Sequence, residues 1–160
     1  MAALLLTACA GPPGQDAQPR DTWGFTAAAD GAPAKLLYGV DETDLVSLGF
    51  TCRPESGQAQ IVLFVSEAQD TWPEKLELRS DTARQIFDLI PSNQSEIPML
   101  NAQIDPSATV AVLFARTGRL DTTISGVRST LDAHDRRARR EISDFWRTCS
   151  RKRVSKQADH

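Results

Sequence analysis

Ala138, Ile142, Phe145 and Cys149 recur at intervals of four, three and four residues, which is the spacing of one face of an α-helix. Arg136, Arg137, Arg139 and Arg140 fall mostly on the other side. Residues 132–149 therefore read as an amphipathic helix whose apolar stripe must be buried against another layer. A matching surface stands earlier in the chain. Val46, Leu48, Phe50 and Cys52 alternate with Ser47, Gly49 and Thr51, the period of a half-buried strand. A striped helix laid on one-sided strands makes an α+β domain. Cys52 points to the core from its strand and Cys149 from its helix.

The rest of the sheet is predicted from shorter signals. Trp23, Phe25 and Ala27 alternate as a short first strand, broken by Asp30-Gly31-Ala32-Pro33. A second strand covers Lys35–Val40. The run from Gln60 to Ser66 reads as a central strand buried on both faces. The short turn Arg53–Gln58 joins it to the preceding strand as a hairpin. Lys75–Arg79 alternates again, residues 84–90 read as strand more readily than helix, and Ile97–Ile104 adds a further short strand. Over 109–116 a helix is favoured, with Asp105 as N-cap, Pro106 at the first helical position and Gly118 as the stop. A strand is the competing reading there, because Val110–Phe114 is β-friendly. Arg119–Ser125 supplies a last strand. The expectation is one antiparallel sheet of about six or seven strands, with the C-terminal amphipathic helix packed on one face. It fills a single domain over residues 23–149, with a basic polar tail from 150 to 160.

At the N-terminus, Leu4-Leu5-Leu6-Thr7-Ala8-Cys9 is a short apolar run ending in two small residues and a cysteine. No cation precedes it, and the run falls short of the roughly 7–15 apolar residues of a secretory signal. Leu6-Thr7-Ala8-Cys9 resembles the lipobox of bacterial lipoproteins. The resemblance implies that Leu6, Thr7 and Ala8 are read by a signal peptidase that cuts before Cys9, making residues 1–9 a signal remnant. It also implies that Cys9 carries diacylglycerol on its thiol, often with a further acyl chain on the new amine. The missing cations would be explained by a start codon upstream. Residues 10–22, rich in Gly, Pro, Gln and Asp over much of their length, suit a flexible tether. Two or three acyl chains anchor a protein stably to a membrane. Ala10, where enteric lipoproteins retained in the inner membrane have Asp, implies the outer membrane, with the domain facing the periplasm.

That location bears on the other cysteines. With Cys9 acylated, Cys52 and Cys149 remain, and an oxidising compartment favours a disulfide between them. In the chain-entropy model a loop of roughly 100 residues closed this way contributes about 4–5 kcal/mol. The alternative is a cytosolic protein with free thiols. Leu36-Leu37-Tyr38-Gly39-Val40 through Phe50-Thr51-Cys52, with Phe145-Trp146-Arg147-Thr148-Cys149, is also similar to small alphaproteobacterial envelope proteins, a resemblance that implies no activity.

Signals for catalysis are sparse. His134 and His160 stand in no recognisable arrangement with Cys or Ser, and no residue is assigned a catalytic role. Cys52, Cys149 and His134 lack the clustered spacing of a zinc site. Asp41, Glu42 and Asp44 lack the calcium-loop pattern. No metal and no cofactor is expected. Trp23, Trp72 and Trp146 are read as packing residues before they are read as a binding surface. Charge is unevenly spread, with nine basic and five acidic side chains in residues 132–160 against nine and sixteen before them. Arg136, Arg137, Arg139, Arg140, Arg151, Lys152 and Arg153 form a candidate patch for anionic lipid or an acidic envelope protein, or else a solvated helix face. The overall pI of 5.4 and the lack of interleaved aromatics argue against nucleic acid. The functional expectation is a lipid-anchored, non-catalytic binding or assembly module of the cell envelope, with an envelope hydrolase and a cytosolic protein as alternatives.

Overall fold

The computed structural model describes residues 21–40, 46–54, 56–65, 71–92 and 97–150. The fold is α+β, with two antiparallel sheets and two helices. The C-terminal helix α2 (Arg136–Cys149) buries Ala138, Ile142, Phe145 and Cys149, the stripe its spacing predicts, and adds Trp146. Its first turn carries arginines and no acid, an unfavourable charge for a helix N-terminus. Asp135 compensates as N-cap, its carboxylate accepting the Ala138 N–H at 2.7 Å.

The larger sheet has the strand order β1-β2-β3-β4-β8-β7, comprising β1 (Asp21–Thr26), β2 (Ala34–Val40), β3 (Val46–Cys52), β4 (Ala59–Phe64), β8 (Met99–Ile104) and β7 (Ile90–Pro91). The β3–β4 hairpin forms with Cys52 opposite Ala59. Between β1 and β2, Asp30 and Gly31 take positive φ, the conformation such a reversal requires. The second sheet has the order β10-β9-β5-β6, built from β5 (Lys75–Ser80), β6 (Ala83–Asp88), β9 (Arg119–Ile124) and β10 (Val127–Asp132).

This division departs from the single sheet expected. Periodicity reports which face of a strand is buried but not which strand lies beside it. β5 finds β9 across a long stretch of chain, and helix α1 (Thr109–Thr117) packs against α2 on one side and β5 and β6 on the other. β10 lay outside the expected strands because Val127–Thr130 is exposed throughout and so shows no alternation. Its local signal is the turn Ser125-Gly126, with φ of 49° and 80°, a two-residue hairpin connection. Asp105 is not the cap of α1. Its carboxylate accepts both the N–H and the hydroxyl of Ser107 at 2.7 Å, a local turn that competes with helix, and the helix starts from Ala108. Gly118 does stop α1, at φ 70° with its N–H on Phe114 C=O. A Cβ there would also lie 3.0 Å from that of Ala133.

The core is continuous from the larger sheet through the helices. Trp23 lies 5.0 Å from both Tyr38 and Phe114 between ring centroids, and Phe50 lies 5.2 Å from Trp146. Trp23 and Trp146 are core residues as expected, while Trp72 is 42% exposed.

Cys52, on the last residue of β3, and Cys149, on the last of α2, stand at disulfide distance with Cα atoms 5.9 Å apart. Cys52 is flanked across the ladders by Ala34 and Ala59, both buried, and these small neighbours leave its sulfur room to meet the helix. A bridge here closes a separation of 97 residues. Cys149→Ala is expected to lower unfolding stability by about 2–4 kcal/mol, measured by urea denaturation. Reductant should cause the same loss in the unmodified protein and none in the variant.

Candidate functional site

Alternation along the strands of the larger sheet sends Leu36, Phe50, Ile61 and Leu100 into the core and their neighbours to the opposite face. That opposite face carries no helix among the described elements. It is hollowed into an open trough of about 670 Å³, with Leu37, Val62, Phe64 and Met99 supplying apolar walls and floor. Lys35, Thr51, Gln60 and Asn101 supply polar groups, and Pro33, Pro91 and Ser92 lie at its margins.

Gly49 sets how the Leu37 wall of the trough lies. In the register, Leu37 faces Gly49 and Gly49 faces Val62, so the middle of the row lacks a side chain. Leu37 lies down over this gap, since a Cβ on Gly49 would come within 2.6 Å of Leu37 Cδ2. A second groove of about 390 Å³ shares Pro33, Thr51 and Gln60 with the trough and adds Arg53, Ser56, Gln58 and Gln103. The combined surface therefore runs from an apolar end to an amide-rich, cationic one. Lys35 and Arg53 are its charged lining residues among those described, and no carboxylate joins them. This occurs on a chain of net charge −3.

The outer face of the smaller sheet is chemically different. Asp121 accepts hydrogen bonds from Thr130 Oγ1 at 2.7 Å and Arg128 Nη2 at 2.6 Å, with Arg119 at 3.6 Å. The Thr130 hydroxyl and the two guanidinium groups hold its carboxyl below the usual aspartate range, against the opposing effect of burial. Glu77 is lowered similarly by its 2.7 Å bond from Arg84. Beside this charged surface, a hollow of about 430 Å³ is lined by Trp72, Ile86, Glu77 and Thr123.

Of the residues singled out from sequence, the structure brings Cys52 and Cys149 together. Arg136, Arg137, Arg139 and Arg140 are all exposed on α2. Arg137 pairs with Glu141 at 2.9 Å, and the other Glu141 oxygen accepts the Phe25 N–H at 3.1 Å, so this carboxylate ties the helix to β1. Leu6, Thr7, Ala8, Cys9, the acidic group Asp41, Glu42 and Asp44, the basic Arg151, Lys152 and Arg153, and His160 lie outside the described residues. His134 is exposed between β10 and α2. Among the described residues, no group of three His, Cys, Asp or Glu side chains could hold a metal ion, and no helix is long and apolar enough to cross a membrane.

The trough was missed from sequence. Its signal was apolar side chains at the outward positions Leu37, Val62 and Phe64, which read equally well as a strand covered on both faces. No protein-family model, curated protein or solved structure matches the chain.

Two outcomes follow from this geometry. Gly49→Ala should leave the fold intact, with a stability change of at most about 1 kcal/mol, while displacing Leu37 into the trough. A crystal structure of the variant, or chemical-shift changes confined to Leu37, Val62 and Asn101, would report it. Asp121 has its folded pKa below the unfolded value, so its contribution is full above the ordinary aspartate pKa and fades as pH falls through the lowered one. Asp121→Asn should therefore flatten the acid limb of a urea-midpoint versus pH profile.

Proposed function

We propose that this protein is a lipid-anchored binding module of the bacterial envelope that holds an extended segment of a partner protein in the trough of its larger sheet. The observation that carries the binding role is the trough itself. It has an apolar floor for alternate side chains, amide groups on Gln60, Asn101 and Gln103 suited to a peptide backbone, and cations without acids among its described lining residues. The preferred segment is apolar at one end and acidic at the other, because Lys35 and Arg53 lie along the polar half. Two features support the location: the lipobox resemblance of Leu6-Thr7-Ala8-Cys9, and the Cys52–Cys149 pair at bonding distance, which suits an oxidising compartment.

Both parts have direct tests. A photo-cross-linking residue at Asn101 in intact cells should capture a discrete partner protein that one at Arg84, on the other sheet, does not. Gly49→Ala should weaken that capture. Equal capture at both positions, or none at Asn101, would sink the reading. For the anchor, Cys9→Ser should abolish incorporation of labelled palmitate and move the protein from the membrane to the soluble fraction. An unmodified chain retaining Met1 and three titratable thiols would end the lipoprotein reading.

A further inference from the structure

Among the described strands the two sheets have four edges, and three are at least partly covered. At β1, Glu141 from α2 occupies the Phe25 N–H. β7 is two residues long and contains Pro91, which has no N–H to offer. β6 leads through Leu89 into β7 and packs against α1 and β8. The fourth edge is β10. Residues Val127–Thr130 are exposed, and the one element with which β10 makes substantial contact, among those described, is β9. An open strand of this kind is a template for pairing with another chain.

We propose that β10 is a self-association edge, at which a second copy of the chain pairs antiparallel about a two-fold axis passing between the two facing Thr130 residues. This would join two four-stranded sheets into one continuous sheet. The association is separate from the trough, which lies on the other sheet, and goes beyond the binding role proposed above.

The backbone sets the pairing. The Ala133 N–H donates to Gly118 C=O at 2.8 Å, continuing the register in which Leu131 faces Leu120 and Val127 faces Ile124. Val127, Ser129 and Leu131 therefore turn their N–H and C=O groups to β9, as a two-residue hairpin requires of the pair flanking its turn. Arg128, Thr130 and Asp132 turn theirs to the open side. A partner strand must meet these three residues in hydrogen-bonded pairs.

Charge favours one register, since among these pairings Arg128 meets Asp132 only when the axis is centred at Thr130. Centred on Thr130, antiparallel self-pairing sets Arg128 opposite Asp132 of the second copy, twice by symmetry, with Thr130 opposite itself. Centred on Arg128 or on Asp132, like charges would face each other, which is destabilising. The favoured register makes about six backbone hydrogen bonds across the axis. The residues are thus self-complementary in backbone parity and in charge, as an isologous interface must be.

The test uses the full chain carrying Cys9→Ser, so that acyl-driven micelles cannot pose as self-association. Sedimentation equilibrium should show a reversible dimer. Amide hydrogen exchange should show Arg128, Thr130 and Asp132 gaining protection as concentration rises, while Ser129 and Leu131 are protected at every concentration. Because Arg128 also bonds Asp121 and Asp132 also faces Arg119 within the chain, neutral variants are used: Arg128→Gln and Asp132→Asn should each weaken dimerisation by up to about tenfold, and the two combined should weaken it by less than the product of the single losses. Thr130→Pro, which removes an open-side N–H together with the hydroxyl bonded to Asp121, should yield a monomer that keeps its circular dichroism spectrum, while Thr130→Val, which loses the hydroxyl alone, should still dimerise. A protein that stays monomeric throughout, a dimer in which the three amides exchange unchanged, or a double variant whose loss equals the full product of the single losses would overturn the proposal.

Discussion

Phe50 stands in the middle of β3 with its ring centroid 5.2 Å from Trp146, 6.0 Å from Trp23 and Phe114, and 6.4 Å from Phe145. The larger sheet and both helices therefore meet on one fully buried side chain. Aromatic pairs contribute about 0.5–1.5 kcal/mol each beyond the area they bury. That matters here because, among the described residues, the indole N–H groups of Trp23 and Trp146 are buried with no hydrogen-bond acceptor. Each such donor costs about 1–3 kcal/mol. Apolar packing has to outweigh this locally, and the cysteine pair reinforces the same joint, since Cys52 lies two residues beyond Phe50 and Cys149 three beyond Trp146.

What the sequence disclosed follows from what periodicity measures. The stripe of α2 and the alternation of β3 each mark a face that must be covered, and both faces were found covered, with Cys52 and Cys149 inward. Gly118 ended α1 because only a residue tolerant of φ 70° fits there. The division into two sheets was not legible, because it depends on β5 choosing β9 as neighbour, a non-local choice with no period. β10 escaped for a related reason: an edge strand solvated on both sides has no apolar face to announce it. Asp105 misled because a carboxylate before Pro-Ser serves a turn as readily as a helix cap.

The candidate site was illegible for a third reason. A trough on a sheet is made by what a residue lacks as much as by what its neighbours carry. Gly49 interrupts the outward row between Leu37 and Val62, and without knowledge of the register nothing marks that glycine as more than a strand residue. The same register gives each strand two functions at adjacent positions. In β4, Ile61 and Leu63 hold the core while Gln60, Val62 and Phe64 face the trough. The trough proposed above as the binding surface is thus carried on backbone backed by the helices, a support of the kind that limits ordering losses on binding.

The bond from the Phe25 N–H to Glu141 spans 116 residues of sequence, and the cysteine pair spans 97. The first of the described strands is thus completed by the last of the described helices. Contacts this distant in sequence are formed late, after the intervening hairpins have shortened the loop that must close. During synthesis β1 has no helix to cover its edge until residue 141 has emerged, so β1 and α2 complete this part of the fold together and β1 is not finished first.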